Sequence, residues 1–134
     1  MSRTLDVPQE LRPARFAHFV LRTRDLETAI AWYELVVGMR VVHRASFGAF
    51  MTYDGEHHRL ALIATPQEET PAPGAAGLDH VAYAFDSLPD LLANYRRLKD
   101  KGIEPYWCIN HGPTTSMYYH DPDKNNETDI DRDI

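Results

Sequence analysis

The sequence predicts an α+β fold in which two tandem βαβββ modules form one half-open, funnel-shaped mixed β-sheet with helices outside. The first observation is an internal repeat at a constant offset of 62 residues. It pairs His18 with His80, Leu26 with Leu88, Ile30 with Leu92, Tyr33 with Tyr95 and Val36 with Leu98. A repeat of about 60 residues is a duplicated supersecondary unit. The second observation is that each copy opens with a short apolar stretch followed by apolar residues at helical spacing.

The elements of each module follow from these patterns. The opening stretches, Phe16 to Leu21 and Leu78 to Phe85, are predicted to be buried strands because they are short, apolar and β-branched or aromatic. The remaining strands are predicted at 39–45, 48–53 and 58–64 in module 1, and at 104–109, 115–120 and 126–130 in module 2. The helix between each first and second strand is expected to begin after an N-cap and to end at a glycine, the pairs being Asp25 with Gly38 and Ser87 with Gly102.

The chain is expected to form a single domain from residue 14 to 134. Module 1 covers about 14–65, a Pro- and Gly-containing linker covers 66–76, and module 2 covers about 77–131. The run Asp129 to Asp133 is interpreted as a solvated acidic tail. Trp32, Trp107 and Cys108 are expected to be packing residues.

Composition excludes several function classes. The net charge of −6 and the isoelectric point near 5.6 argue against nucleic acid and an anionic membrane surface as partners. No stretch reaches the roughly 18 apolar residues of a membrane helix. The single cysteine permits no internal disulfide, which favours a reducing cytoplasm.

A metal site is the main functional prediction. One histidine in an apolar strand is usually a hydrogen-bonded core residue, but His18 and His80 occupy matching places in the repeat, so a pseudo-twofold axis brings them together. Glu127 supplies a carboxylate on the last strand, which completes a 2-His-1-carboxylate set typical of non-haem Fe(II) or Mn(II). The strand from Arg59 to Ile63 offers no fourth ligand. The resulting charge of +1 suits a chelating oxygen anion such as a catecholate or enolate.

Further polar residues are candidates for the funnel. His57 and His58 open a strand, and one of them is a candidate general acid or base, although a surface pair is the simpler interpretation. His111, Tyr118 and His120 border the segment 112–117, and alternation places Tyr118 and His120 on one face. A tyrosine hydroxyl in a pocket can hold a substrate oxygen, and a core aromatic is the alternative.

These residues together resemble the glyoxalase/bleomycin-resistance/extradiol-dioxygenase (vicinal oxygen chelate) superfamily. The likeness covers residues 14 to 130 and is carried by the repeated histidines, by Glu-His-His-Arg-Leu-Ala-Leu at 56–62 and by the segment 111–123. Within the superfamily the chain resembles the catalytic half of the extradiol ring-cleaving enzymes that act on dihydroxybiphenyl. The resemblance implies that Fe(II), or alternatively Mn(II), binds a catechol-like aromatic diol and O2. The implied metal ligands are His18, His80 and Glu127, and the implied catalytic residues are His58 (acid–base), Tyr118 and His111.

One departure from the family pattern concerns the last turn. The usual Asp-Pro-Asp-Gly-Asn has Lys124 in place of glycine, and Glu127 arrives one residue early. Because strand side chains alternate, this leaves two outcomes, a tighter turn or a Glu127 that points away from His80. Ring-cleaving relatives usually carry a second half, so a homodimer is expected.

Two other functions remain open. An isomerase or lyase acting through an enolate would use Ni(II), Co(II), Mn(II) or Zn(II) and usually a fourth protein ligand. A non-catalytic, resistance-type protein that binds a small molecule would usually lack the two metal histidines.

Overall fold

The computed structural model describes residues 8–65, 72, 74–110, 114–123 and 127–133, with the backbone alone for residues 9, 114 and 127–133. Its elements follow the order βαβββ twice, after a short 3₁₀ turn at Gln9–Leu11. Module 1 contains β1 (Phe19–Thr23), α1 (Leu26–Val36), β2 (Arg40–Ala45), β3 (Gly48–Thr52) and β4 (Leu60–Ala64). Module 2 contains β5 (His80–Ala84), α2 (Leu88–Asp100), β6 (Trp107–Asn110), β7 (Thr114–His120) and β8 (Glu127–Asp133). The predicted fold class is confirmed.

Both helices begin and end as the sequence predicts. The Asp25 carboxylate accepts a hydrogen bond from the backbone N–H of Thr28, and the Ser87 hydroxyl accepts one from Asp90. Gly38 and Gly102 each follow the last capping residue with φ of 75° and 80°, a conformation in which glycine carries no steric penalty.

The strands form two four-stranded mixed sheets of identical topology, in the orders β1-β4-β3-β2 and β5-β8-β7-β6. The first strand of each module pairs in parallel with the fourth, and the other pairs are antiparallel. Strands β1 and β5 therefore lie at equivalent sheet edges, and their side chains alternate between a face covered by the module's helix and an open face.

Three details of the prediction are wrong. Strand β1 begins at Phe19, so His18 lies immediately before it, and Phe16 is 70% exposed. Neither opening strand is buried on both faces, because only Leu21 and Thr23 are buried in β1 and no residue of β5 is buried. The run 129–133 is not a tail, because it continues β8 between β5 and β7.

The hydrophobic core joins the two modules. One buried cluster centres on α1, β3 and β4, and Tyr83 of module 2 packs against it. The other centres on α2 and β7 and includes Val36 of module 1. Trp32 and Val37 border both clusters, so the modules share one interior. Among the described residues no helix has the length and apolar character needed to cross a membrane.

Candidate metal centre and active site

The edges of β1 and β5 border a common cavity of about 220 Å³. Phe16 and Phe19, on either side of His18, line it from module 1, and Val81 and Ala82, which follow His80, line it from module 2. The cavity therefore places the two segments that carry the repeated histidines opposite each other. Both imidazoles are exposed rather than buried, which corrects the expectation of buried strands.

Module 1 contributes an aromatic cluster around His58. The His58 ring stacks on Phe50 with 4.5 Å between centroids, and the His18 ring lies 4.1 Å away. The Nδ1 atom of His57 lies 2.8 Å from Nδ1 of His58. Partial burial lowers the pKa of His58 below its ordinary value, and the neighbouring His18 and His57 lower it further. The neutral imidazole is therefore favoured, as a general base requires.

Module 2 contributes Tyr118, whose ring meets that of His80 edge to face at 5.9 Å. Tyr118 is buried and stacks on Trp107 at 4.9 Å. The Nδ1 atom of His80 lies 2.7 Å from a carboxylate oxygen of Asp79. A carboxylate at Nδ1 fixes the tautomer that leaves Nε2 with its lone pair, which is the arrangement found at ligating histidines.

The strand register locates Glu127 at the level of the backbone. Strand β8 pairs Glu127 with His80 on one side and with His120 on the other. Directly paired positions share a face of a sheet. Position 127 therefore lies on the His80 face, which is the tighter-turn outcome of the two that the sequence left open; Lys124 lies outside the described residues.

The corresponding place in module 1 holds an arginine. Phe19 and Val81 are equivalent at the offset of 62, and their partners on the fourth strands are Leu60 and Thr128. Arg59 therefore stands beside His18 as Glu127 stands beside His80. The Arg59 guanidinium is held by Asp54 at 2.9 Å and donates to the carbonyls of Phe16 and Ala17. A guanidinium cation in this place is not a metal ligand. The expectation of three protein ligands stays a prediction.

The structure thus brings together only some of the predicted site residues. The structure brings His18 to His58 and His80 to Tyr118, whereas His111 lies outside the described residues. No three His, Cys, Asp or Glu side chains within the described part of the chain converge as a metal cluster, and the Glu127 side chain does not belong to that part. The sequence-based identification of the ligands therefore stays a prediction.

The imidazole of His120, which alternation placed on the Tyr118 face, stacks on Tyr106 with 3.9 Å between ring centroids. Two further residues beside the site, Phe50 and Asp79, were missed. They carry no sequence signal, because only the fold places them beside a histidine. Trp107 and Cys108, expected to be packing residues, are exposed because β6 is an edge strand, although the Trp107 ring packs on Tyr118.

Comparison with known proteins settles the family. The model of the Glyoxalase/Bleomycin resistance protein/Dioxygenase superfamily matches residues 15–127. The chain belongs to this superfamily. Two solved structures share the fold. Lactoylglutathione lyase from Agrobacterium tumefaciens has a TM-score of 0.71 and 19% sequence identity, and the match covers 90% of this chain and 94% of that chain. A glyoxylase/bleomycin resistance protein/dioxygenase domain from Frankia sp. EAN1pec has a TM-score of 0.74 and 18% sequence identity, and the match covers 92% of this chain and 94% of that chain.

Curated relatives are more similar in sequence. Biphenyl-2,3-diol 1,2-dioxygenase 2 of Rhodococcus globerulus is 51% identical over 112 residues, which make up 83% of this chain and 59% of that protein. Biphenyl-2,3-diol 1,2-dioxygenase 3 of the same organism is 47% identical over 113 residues, or 83% and 60%. A manganese-dependent 2,3-dihydroxybiphenyl 1,2-dioxygenase of Geobacillus genomosp. 3 is 32% identical over 96 residues, or 70% and 28%. The chain thus spans less than two thirds of each of these relatives.

Proposed function

We propose that this chain cleaves the ring of a catechol-like aromatic diol with O2, as an extradiol-type dioxygenase. The identities of 51% and 47% to proteins named biphenyl-2,3-diol dioxygenases support this activity. They also support an aromatic diol as the substrate class.

The proposed metal ligands are His18, His80 and Glu127. The donor set fits a divalent metal of the iron or manganese type, because two imidazoles and one carboxylate leave further coordination positions open. Fe(II) is the proposed metal, and Mn(II) is the alternative because one relative is manganese-dependent. When bound, such a metal acidifies the hydroxyls of a coordinated diol and gives diol and dioxygen a shared point of attachment.

The chain's own groups then have separate tasks. The neutral ring of His58 takes a proton from a diol hydroxyl and later returns it, and its place against His18 puts it beside the proposed ligand set. The Tyr118 hydroxyl holds an oxygen of the substrate on the other side, next to His80.

The observation that carries the proposal is the pair of equivalent register positions in the two modules. Position 127 lies beside His80 and holds a carboxylate, whereas the equivalent position beside His18 holds Arg59. This leaves three protein ligands. A lyase or isomerase with a fourth protein ligand is less well supported for the same reason, and a resistance-type binding protein has no need of the two imidazoles.

We also propose that the protein works as a homodimer in the cytoplasm. The single cysteine supports a reducing compartment, and exposed apolar side chains beside the β2 edge, at Val42 and Phe47, support association. Sedimentation of the purified chain tests the oligomeric state.

The decisive experiment is an anaerobic purification followed by loading with Fe(II) or, in parallel, Mn(II). Addition of a panel of catechols and dihydroxybiphenyls in air is expected to consume O2 and to give a coloured ring-opened product. Retained metal without O2 consumption across the whole panel would favour a lyase. Neither metal nor O2 consumption would favour a binding protein.

A further inference from the structure

The His57–His58 pair is an unusual feature beside the proposed site. Its two Nδ1 atoms are 2.8 Å apart, so one of them must carry a proton and the other must accept it. The two rings meet edge to face, with centroids 5.1 Å apart. This geometry is a hydrogen bond between side chains that are consecutive in sequence, and it is directional.

The other sides of the His58 ring are also occupied. Phe50 covers one face in a nearly parallel stack, with planes 13° apart. The His18 ring lies 4.1 Å away and tilted by 38°. With Phe50 and His18 against the ring and His57 at Nδ1, the remaining nitrogen, Nε2, is the atom left to exchange a proton with a ligand.

We propose that His57 is a positioning residue that accepts the Nδ1 proton of His58 and thereby keeps the Nε2 lone pair of His58 ready to act as the base. The inference rests on the proposed function, in which His58 is the acid–base residue. When Nδ1 of His57 accepts this bond, the exposed neutral ring of His57 carries its own proton on Nε2. Which ring nitrogen of a histidine carries the proton is set by the hydrogen bond that the other nitrogen makes.

Two substitutions at position 57 separate this role from a general structural one. His57→Asn keeps an acceptor oxygen near the place of Nδ1, whereas His57→Leu removes the acceptor at similar size. His43→Leu is the matched control, because His43 also contacts Phe50, with 5.8 Å between centroids. His58→Ala identifies the NMR signals of His58 by their loss, and it shows how much activity remains without the acid–base residue.

The first measurement is the long-range proton–nitrogen NMR correlation spectrum of the metal-free protein, which reports the tautomer of His58. The parent, His57→Asn and His43→Leu are expected to show the Nδ1–H tautomer, and His57→Leu to show mainly Nε2–H. An unchanged His58 tautomer in His57→Leu overturns the proposal. Because His57 is exposed, folding is expected to survive, and His57→Ala repeats the test if leucine does not.

The second measurement is the steady-state kinetics of the Fe(II)-loaded protein with a catechol that the parent protein cleaves. His57→Leu is expected to lower kcat by about 10- to 100-fold, as loss of a residue that orients an active-site histidine does, with KM and metal content unchanged. His57→Asn is expected to restore most of kcat. Equal losses in both variants, or loss of metal in His57→Leu, overturn the proposal. If no catechol is consumed even by the parent, the proposed function fails while the tautomer spectrum still decides the role of His57.

Discussion

At the scale of single residues, Glu127 is the position on which the proposed site depends most. The backbone register pairs it with His80, and no carboxylate replaces it in module 1. Glu127→Ala removes the one anionic ligand and is therefore expected to abolish metal retention after anaerobic loading and desalting. Metal content per protein, measured by elemental analysis, checks this result.

Asp131→Ala is the matched control for that prediction. Asp131 lies on the same strand as Glu127 and pairs with Ala84 and Ser116. Its substitution removes one negative charge but leaves the pairing of Glu127 with His80 unchanged. It is expected to retain parental metal content. Parental metal in Glu127→Ala would exclude Glu127 as a ligand.

At the scale of elements, the turn between β7 and β8 is held by module 1. The Thr23 hydroxyl donates to Asp123 at 2.6 Å, and the backbone N–H and the Nε of Arg24 donate to its other oxygen. The Tyr33 hydroxyl donates to Asp121, whose second oxygen accepts the N–H of Asp123. Both carboxylates are buried, so these bonds attach residues 121–123, which follow β7, to the end of β1 and to α1.

Asp123→Ala is expected to lower the free energy of unfolding by about 1 to 3 kcal/mol, because it removes a buried carboxylate that accepts hydrogen bonds from the buried Thr23 hydroxyl and from Arg24. Urea denaturation followed by circular dichroism measures the change. Asp86→Ala, an exposed acid at the end of β5, is the control and is expected to stay within about 0.5 kcal/mol of the parent. Equal stability of both variants would show that the turn does not need this anchor.

The sequence predicts the helices and strands well, but it predicts the burial of their faces less well. Helix ends were predicted correctly because Asp25, Ser87, Gly38 and Gly102 act through local backbone chemistry. The repeat predicted the equivalence of His18 and His80, since duplication is visible without structure.

The covered face of each strand could not be predicted in the same way. An apolar stretch such as 16–21 has the same sequence pattern whether one face of the strand is buried or both. The exposure of Phe16 and His18 could therefore not be predicted from it. The polar composition of 129–133 suggested a tail, although pairing with β5 and β7 on both sides makes it a strand. The pairing register of β8, which its composition does not reveal, places residue 127 beside His80.

At the scale of the whole molecule, the shared core makes the two modules one folding unit. Val36 of module 1 belongs to the same buried cluster as Leu91, Leu98 and Met117 of module 2. The Arg97 guanidinium also donates to the carbonyl of Leu35, between the helices. The proposed metal site takes one histidine from each module and therefore requires that the two modules keep a fixed relative position.

Cooperative unfolding of both modules is the prediction at this scale. Leu98→Ala empties a fully buried position in module 2 and is expected to lower the free energy of unfolding by about 2 to 5 kcal/mol. In a Trp107→Phe background, the fluorescence comes from Trp32 on helix α1 of module 1, and its urea midpoint is expected to fall together with that of circular dichroism. Leu78→Ala, at a half-exposed position of module 2, should leave both midpoints near the parent. A Trp32 midpoint that stays at the parental value while circular dichroism shifts would mean that the modules unfold separately, and the metal site could then not depend on one shared interior.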